Sequence, residues 1–388
     1  MPDCLRNGVN NNLTILYISG DSSLGGSTAS LYNLINGLRN VATPIVLFAE
    51  EGIGVNFFRE HGIECYVVPF QNLSLLRPNR LCNNWLHLWR WHYIKKIRKD
   101  IKCALKVRRL LSGKKIDIVH TNTSINDIGI VLARFFHAKH VWHVREFLDV
   151  DFHMTIYRGI PHLRRLVNRA DARIAISSAI KEHWKLRDKC TWIINDAVRS
   201  EDEAIYIPVK EKYVLFCSYY LTEFKGTRMA IIAFAKSEVW GNGFRLKLVG
   251  LCDKVFYQSL IETASTYHVD EYIDFIDNQS DVKSLFSRAS AFLMTSEYEG
   301  LGRVTAEAMF YGCPVIARAT GGTVDLVKNG ETGWLFSTVE ECAQLINKVC
   351  SEDQTEIISK AQDFAVHNMS EEVYVPQVLE VYKTILEK

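Results

Sequence analysis

Short β-rich runs and helix-period stretches alternate along this chain, and the series runs twice. In the first half the strand-like runs are Leu13–Ser19, Pro44–Phe48, Cys65–Val68, Ile116–His120, His140–Val144 and Arg173–Ser177. Helical stretches separate them at Ser27–Arg39, Val55–His61, Tyr93–Leu111, Ile128–Phe136, Leu163–Arg169 and Ala179–Lys185. The series restarts after about residue 205, with strands at Tyr213–Ser218, Arg245–Val249, Ile273–Ile276, Ala291–Met294, Val315–Ala317 and Gly333–Phe336. Its helices are Gly226–Lys236, Tyr257–Tyr267, Val282–Arg288, Thr305–Tyr311, Gly322–Val327 and Val339–Glu352. Strand–helix–strand order implies a parallel sheet covered on both faces, so the chain reads as α/β with two doubly wound units. At 388 residues and 48% hydrophobic content each half can bury its own core. The polar segment Asp196–Val209, with Pro208, places the boundary between domains at 1–200 and 201–370. Pro376–Glu387 reads as a last helix, and the segment 371–388 is expected to pack back on the first domain.

Several function classes drop out. A net charge of +2 is not that of a nucleic-acid-binding polycation. Ten cysteines without a Cys-x-x-Cys pair read as small buried residues of a reducing compartment, neither disulfide framework nor zinc site. His137, His140 and His143 are three apart, and strand alternation would not converge them on a metal. Asp149-Val150-Asp151 has the form of a metal-nucleotide tripeptide but reads as surface acid, so no metal or other cofactor is expected. No Gly-x-Gly-x-x-Gly follows the first strand, which argues against a dinucleotide-dependent dehydrogenase. No run approaches membrane-spanning length, and the first apolar run follows an Asn-rich start and reads as a strand, so a cytoplasmic protein is expected.

The richest segment is Thr295-Ser296-Glu297-Tyr298-Glu299-Gly300-Leu301-Gly302-Arg303-Val304-Thr305-Ala306-Glu307-Ala308-Met309. It follows an apolar strand and opens a helix, where open α/β sheets bind ligands. Gly300 and Gly302 allow close backbone approach, and helix-opening amides suit an anion such as a diphosphate. Glu299 on the loop and Glu307 a turn inside the helix are acceptors for the paired hydroxyls of a hexose and a ribose. A generic loop with surface acids is the plain alternative, but the segment is followed in order by Gly312-Cys313-Pro314-Val315-Ile316-Ala317, Gly321-Gly322 and Asn329-Gly330-Glu331-Thr332-Gly333-Trp334-Leu335.

That ordered string resembles glycosyltransferase family 4, retaining enzymes of the GT-B fold, in which two Rossmann-like domains face each other across a cleft. Weaker matches extend the resemblance over most of the chain: Leu24-Gly25-Gly26-Ser27, Ile116-Asp117-Ile118-Val119-His120 and Ile176-Ser177-Ser178-Ala179, with Ile193-Ile194-Asn195-Asp196 replacing the usual Asn-Gly by Asn-Asp. The resemblance implies that Glu299 contacts the donor sugar and Glu307 the ribose. It places the backbone of Leu301, Gly302 and Arg303 on the diphosphate, and Gly321 and Gly322 close to the sugar. The family carries an Arg and then a Lys on the first loop of its second domain. Here Lys225 is present, and the resemblance implies that it stabilises the departing diphosphate, while Tyr220 stands where the Arg is expected. Arg228 and Arg303 are the candidate guanidinium groups to replace it.

In the first half, Gly25 and Gly26 form either a simple turn or an acceptor-facing loop. His143, at the end of its strand, is a sugar contact or a satisfied structural histidine; Arg145 and Glu146 beside it are expected to orient the acceptor. From Arg77 to Lys115 the chain is densely basic, with Trp85, Trp89 and Trp91 at its start, which suits an anionic membrane surface. Ile94, Ile97, Ile101 and Leu105 recur at helical spacing and read as an inward stripe of an ordinary solvated helix. The expected reaction is retaining transfer of a hexose from a nucleoside diphosphate sugar to a glycan hydroxyl, with a lipid-linked acceptor at the inner face of the cell membrane. Two alternatives stay open: a nucleotide-sugar epimerase, and a non-catalytic nucleotide-sugar-binding partner of another transferase.

Overall fold

The structure, a computed structural model, describes residues 13–75, 85–156, 158–277 and 282–387. The described residues fall into two compact units. One runs to Ala175 and takes in Lys181–Ile194 and the chain from Val375 onward; the other holds Ile176–Ile180 and Asn195–Tyr374.

In the first unit the strands are β1 (Leu13–Ser19), β2 (Ala42–Phe48), β3 (Glu64–Val67), β4 (Ser74–Leu75), β5 (Ile118–Thr121), β6 (Lys139–Val144), β7 (Thr155–Ile156), β8 (Ala172–Ala175) and β9 (Thr191–Ile193). Seven of them form a parallel sheet in the order β3-β2-β1-β5-β6-β8-β9, and β4 and β7 pair as a short antiparallel ribbon. The accompanying helices are α1 (Gly26–Gly37), α2 (Ile53–Glu60), α3 (Trp85–Leu110), α4 (Ile128–Phe136) and α5 (Ile160–Val167), with α6 (Ser178–His183) divided between the two units. Ile15, Leu16, Tyr17 and Ile18 of β1 are completely buried, as a central strand covered on both faces must be.

The second unit repeats the plan with β10 (Glu211–Tyr220), β11 (Arg245–Leu251), β12 (Ile273–Ile276), β13 (Ala289–Met294), β14 (Val315–Arg318) and β15 (Trp334–Phe336), all parallel, in the order β12-β11-β10-β13-β14-β15. Its helices are α7 (Thr227–Ser237), α8 (Lys254–Thr266), α9 (Lys283–Arg288), α10 (Arg303–Phe310), α11 (Thr323–Leu326), α12 (Val339–Ser351) and α13 (Thr355–Met369), and the chain ends in α14 (Glu371–Leu386). Local sequence explains these elements. In α12, Cys342, Ala343, Ile346 and Val349 form the buried stripe, and Thr338 with Glu341 makes a reciprocal capping box at its start. Strand order reverses at β1/β5 and again at β10/β13, and the loops leaving such a reversal open a crevice.

The structure differs from the expected organisation in four ways. The chain passes between units at Ile194/Asn195, not at residue 200, because Val198 and Arg199 already pair with Met369 and Ser370 of the second unit. The last helix begins at Glu371 and carries Pro376 in its interior, and the passage back to the first unit falls just before that proline. Strand β9 and helix α13 were not expected, although Ile358, Ala361, Ala365 and Met369 recur at helical spacing and form the buried stripe of α13. The stripe of Ile94, Ile97, Ile101 and Leu105 faces outward. The inward face of α3 is instead Lys96, Asp100, Cys103, Ala104 and Val107, with Leu111 just past its end. Arg77 and Arg80 lie outside the described residues, as do the side chains of Trp85, Trp89 and Trp91.

Candidate active site

Three loops leaving neighbouring strands of the second unit, after β10, β13 and β14, are laced together at the strand-order reversal. Gly226 takes a left-handed φ of 73°, and a side chain there would stand 2.1 Å from the Thr295 carbonyl. The Thr295 hydroxyl donates to the Gly226 carbonyl (2.8 Å), and the Glu297 amide to the Phe224 carbonyl (3.0 Å). The Gly322 amide donates to the Glu299 carbonyl (2.7 Å). A Cβ would fall 2.4 Å from the Glu299 oxygen at Gly321 and 2.1 Å from the Gly300 oxygen at Gly322, so only glycine lets these backbones meet.

This lacing positions the charged groups. Lys225 Nζ lies 2.6 Å from Glu299 Oε1, and the Ser296 hydroxyl donates to the same oxygen at 2.8 Å. Gly302, left-handed at φ 85°, starts α10. The first amides of a helix have no partner within it and carry the positive end of its dipole. Thr305 and Thr323 are buried, their hydroxyls have no hydrogen-bond partner among the described residues, and a Cβ on Gly302 would stand 3.3 and 3.4 Å from them. Leu301 is buried beside this turn, and the Gly300 carbonyl accepts from the Ser177 hydroxyl at 2.5 Å. One turn into α10, Glu307 Oε1 pairs with Arg199 Nη2 (3.3 Å), and Arg199 Nε donates to the Tyr311 hydroxyl (2.6 Å).

Two family models cover nearly the whole chain: "Glycosyltransferase Family 4" matches residues 24–193 and "Glycosyl transferases group 1" matches residues 198–387. The chain belongs to glycosyltransferase family 4. Among curated relatives, it is 25% identical over 256 residues to the N-acetyl-alpha-D-glucosaminyl L-malate synthase of Bacillus anthracis. That match takes in 61% of this chain and 65% of the relative, just under two thirds of that protein's length. Among solved structures, Anabaena HepE in complex with UDP and glucose superposes with a TM-score of 0.77 at 20% identity, over 96% of this chain and all of that one. The apo form of the lipopolysaccharide outer core galactosyltransferase WaaB gives 0.71 at 18% identity, over 96% and 99%. The two parallel-sheet units are those of the GT-B fold.

In this family 4 chain, Lys225, Glu299, Gly300, Leu301, Gly302, Arg303, Glu307, Gly321 and Gly322 all come together in the second unit. The guanidinium groups weighed as replacements at the Tyr220 position are engaged elsewhere. Arg228 binds Glu223 (3.0 Å) and the Ser259 carbonyl (3.2 Å), and Arg303 donates to the Ala197 carbonyl (2.9 Å). Tyr220 itself ends β10 half-exposed, edge-to-face with Tyr219.

In the first unit the expected site residues lie inside the fold. His143 is completely buried and Arg145 nearly so. Arg145 donates to the carbonyl and side chain of Asn122 (2.9 and 3.1 Å) and lies 3.2 Å from His143 Nδ1. Next to them the His120 ring packs at a tilt against His143 (5.4 Å between centroids) and Tyr17 (5.3 Å), and its Nδ1 meets the Tyr382 hydroxyl of α14 at 2.7 Å. Burial, then the Arg145 charge, holds both imidazoles well below their usual pKa and therefore neutral. The Glu146 carboxylate accepts from the Ser124 amide (2.8 Å), and burial pushes its pKa up to about 7. The physical reason is local: the end of β6 is closed over by Asn122, Ser124 and Trp184, whose indole donates to the Glu146 carbonyl at 2.8 Å. Gly25 caps α1 and half-faces solvent, with Gly26 exposed beside it. Asp149 and Asp151 are no free surface acids either: Asp149 lies 3.0 Å from His183, and Asp151 accepts the Phe147 and Phe152 amides.

Sequence reasoning missed Arg199, Ser296, Thr305, Thr323 and Tyr311. Ser296 and Thr305 lie within the stretch 295–309 that carries Glu299 and Glu307. Arg199 meets Glu307 only through folding, and no spacing announces it.

Proposed function

We propose that this protein transfers a hexose from a nucleoside diphosphate sugar to a hydroxyl of a lipid-linked glycan in cell-surface polysaccharide synthesis. Transfer takes place at the cytoplasmic side of the membrane, with retained anomeric configuration and no metal ion. The observation that carries the reading is the convergence of Lys225, Glu299 and the glycine-opened start of α10 at one strand-order reversal.

The parts divide the donor between them. Glu307, its Oε1 occupied by Arg199, offers its other oxygen to the ribose hydroxyls. The first amides of α10 and the Thr305 and Thr323 hydroxyls are donors for the diphosphate. Lys225 leaves its Glu299 pairing to meet the charge that grows on the departing diphosphate as the anomeric carbon–oxygen bond breaks. Glu299, freed of that contact, accepts from the hexose hydroxyls. A new bond forms from the anomeric carbon to the acceptor oxygen, whose proton ends on the released nucleoside diphosphate. Retention rests on the family alone. HepE with bound UDP and glucose supports a nucleotide-sugar donor, and the lipopolysaccharide galactosyltransferase supports a glycan acceptor on a lipid.

Tyr220, with Arg228 and Arg303 committed elsewhere, favours one second reading, a donor-binding partner without turnover of its own. The deciding experiment screens UDP-, GDP- and ADP-sugars by thermal shift, since a ligand of the native state raises the melting temperature. The best donor is then incubated with purified lipid-linked glycan in EDTA. Release of nucleoside diphosphate that requires acceptor is expected; stabilisation without release would establish the second reading, and stabilisation by no donor would end both.

A further inference from the structure

Helix α3 puts on the surface what a soluble helix normally hides. Ile94, Ile97, Ile101 and Leu105 are 46%, 40%, 46% and 44% exposed. At 3.6 residues per turn the four fall within an arc of roughly 80°, which the exposed Arg108 enters near the end of the helix. Lys95, Arg98, Lys99, Lys102, Lys106 and Arg109 fill roughly the next 100° of the same exposed face. None of these six side chains has an ion-pair or hydrogen-bond partner among the described residues. Just past the helix the usual pairing resumes, with Lys114 on Glu64 and Lys115 on Asp117.

The acid of α3 is turned away from this face. Asp100, the only Asp or Glu in the helix, points inward and binds buried Lys96 (2.5 Å), which also reaches Asp127 at the start of α4 (2.5 Å). That inward ion cluster, with Cys103, Ala104 and Val107 packed in the core, fixes which arc of the helix faces out. The outcome is a mainly aliphatic strip beside a cationic strip, with no compensating acid on the helix, anchored by the core-packed face of α3.

We infer that this face of α3 docks on an anionic lipid surface, the aliphatic strip entering the headgroup boundary and the lysines and arginines meeting lipid phosphates. Helices of this composition lie in the interface with their apolar side sunk about 5–10 Å. A nucleic acid would match the charge but has no use for four exposed aliphatic side chains. A second copy meeting along the strip would set two like-charged rows together. The assignment rests on the proposed lipid-linked acceptor only for its purpose, because vesicle binding is read without donor or acceptor and donor binding without vesicles.

The test is co-sedimentation of the full chain with vesicles of phosphatidylcholine alone and of phosphatidylcholine with phosphatidylglycerol in equal parts. Binding to the anionic vesicles only, weakening as salt rises, is expected. Each neutralised lysine should weaken partition roughly fivefold, so the triple variant Lys95→Gln, Lys99→Gln, Lys102→Gln should lose roughly a hundredfold. The pair Ile97→Asn and Ile101→Asn should lose roughly tenfold or more through the apolar term. All five positions are exposed, so unchanged melting temperatures are expected and would show that the variants fold. Failure of the wild type to sediment, equal binding to neutral vesicles, or variants that bind like wild type would overturn the inference. So would a solution dimer abolished by the isoleucine pair in a protein that ignores vesicles.

Discussion

Both sheets reverse strand order once, and at each reversal a polar cluster sits at the carboxyl ends of the strands, yet the two clusters are opposites. In the second unit the loops after β10, β13 and β14 carry Gly226, Gly300, Gly302, Gly321 and Gly322, and the charged groups among them keep contact with solvent. In the first unit Tyr17, His120, His143, Arg145 and Tyr382 are buried against one another, with Arg145 also bonded to Asn122. A topological switch point supplies a crevice only where side chains stay small enough to leave one. The same position filled with rings becomes a brace for the sheet.

The sharpest way to break this comparison is to truncate one side chain in each cluster and read turnover and stability together. Glu299→Ala should lower nucleoside diphosphate release about a thousandfold, a typical loss for one preorganised electrostatic contact. Its melting temperature should stay near wild type, because the carboxylate is held by a half-exposed lysine and a serine. His143→Ala should do the reverse. It removes a fully buried ring and an acceptor beside the Arg145 guanidinium, at a cost of about 2–3 kcal/mol, and should lower the melting temperature by several degrees. A His143→Ala protein with native melting and lost turnover would return His143 to the donor site and erase the contrast.

Acid sharpens the comparison further. Burial holds His120, His140 and His143 neutral in the folded chain, His140 down to about 3. Once unfolded, the same imidazoles take up protons as pH falls through about 6.5, so their contribution is present above that pH and is lost below it. Glu146 opposes them. With its folded pKa raised to about 7, it gains a proton in the folded chain before the unfolded one does, and it adds stability as pH falls from 7 towards 4.5. Within this cluster three imidazoles favour the unfolded chain and one carboxyl favours the folded, so between pH 6.5 and 4.5 the cluster should lose stability as pH falls. Thermal melts across that window should fall, and fall more steeply in Glu146→Gln, which deletes the opposing proton. A flat profile, or a shallower one in that variant, would mean that the cluster is solvated.

The second cluster was legible in sequence and the first was not. Glu299, Gly302 and Glu307 occupy one continuous stretch whose strand, turn and helix each follow from local chemistry, so reading along the chain amounts to reading the site. Lys225 was found through the resemblance, as the lysine before glycine on the first loop of the second domain, and the close approach of Gly226 to Thr295 came only with the structure. The histidine cluster draws on β1, β5, β6 and α14, and nothing local in His120 or Tyr382 announces the other. Arg199 escaped for the same reason. Periodicity failed at α3 because two arcs of that helix each had a claim to the core. Apolar spacing favoured the isoleucines, whereas folding buried Lys96 with Asp100 and Asp127, a choice that depends on an acid at the start of another helix. Where a contact is made within one turn the sequence carries it, and where two elements must meet first it does not.

The smallest expected effect probes the seam that brings the chain's end back to the first sheet. Tyr382 is fully buried on α14, and its hydroxyl 2.7 Å from His120 Nδ1 gives that imidazole a partner in a region closed to water. Tyr382→Phe keeps the ring and its edge-on packing against His120, 5.8 Å between centroids, and deletes only the hydroxyl. A buried polar atom left without its partner costs about 1–3 kcal/mol, so a downward melting shift of a few degrees is expected. The experiment discriminates because His120 can answer in only two ways. If the cluster is a sealed brace, the orphaned imidazole stays dry and the double variant Tyr382→Phe with His120→Phe recovers part of the loss, since removing both polar partners is cheaper than removing one. If water reaches the ring, the single variant loses nothing and the double gains nothing, and the first cluster would then be a solvent-reached crevice like the second.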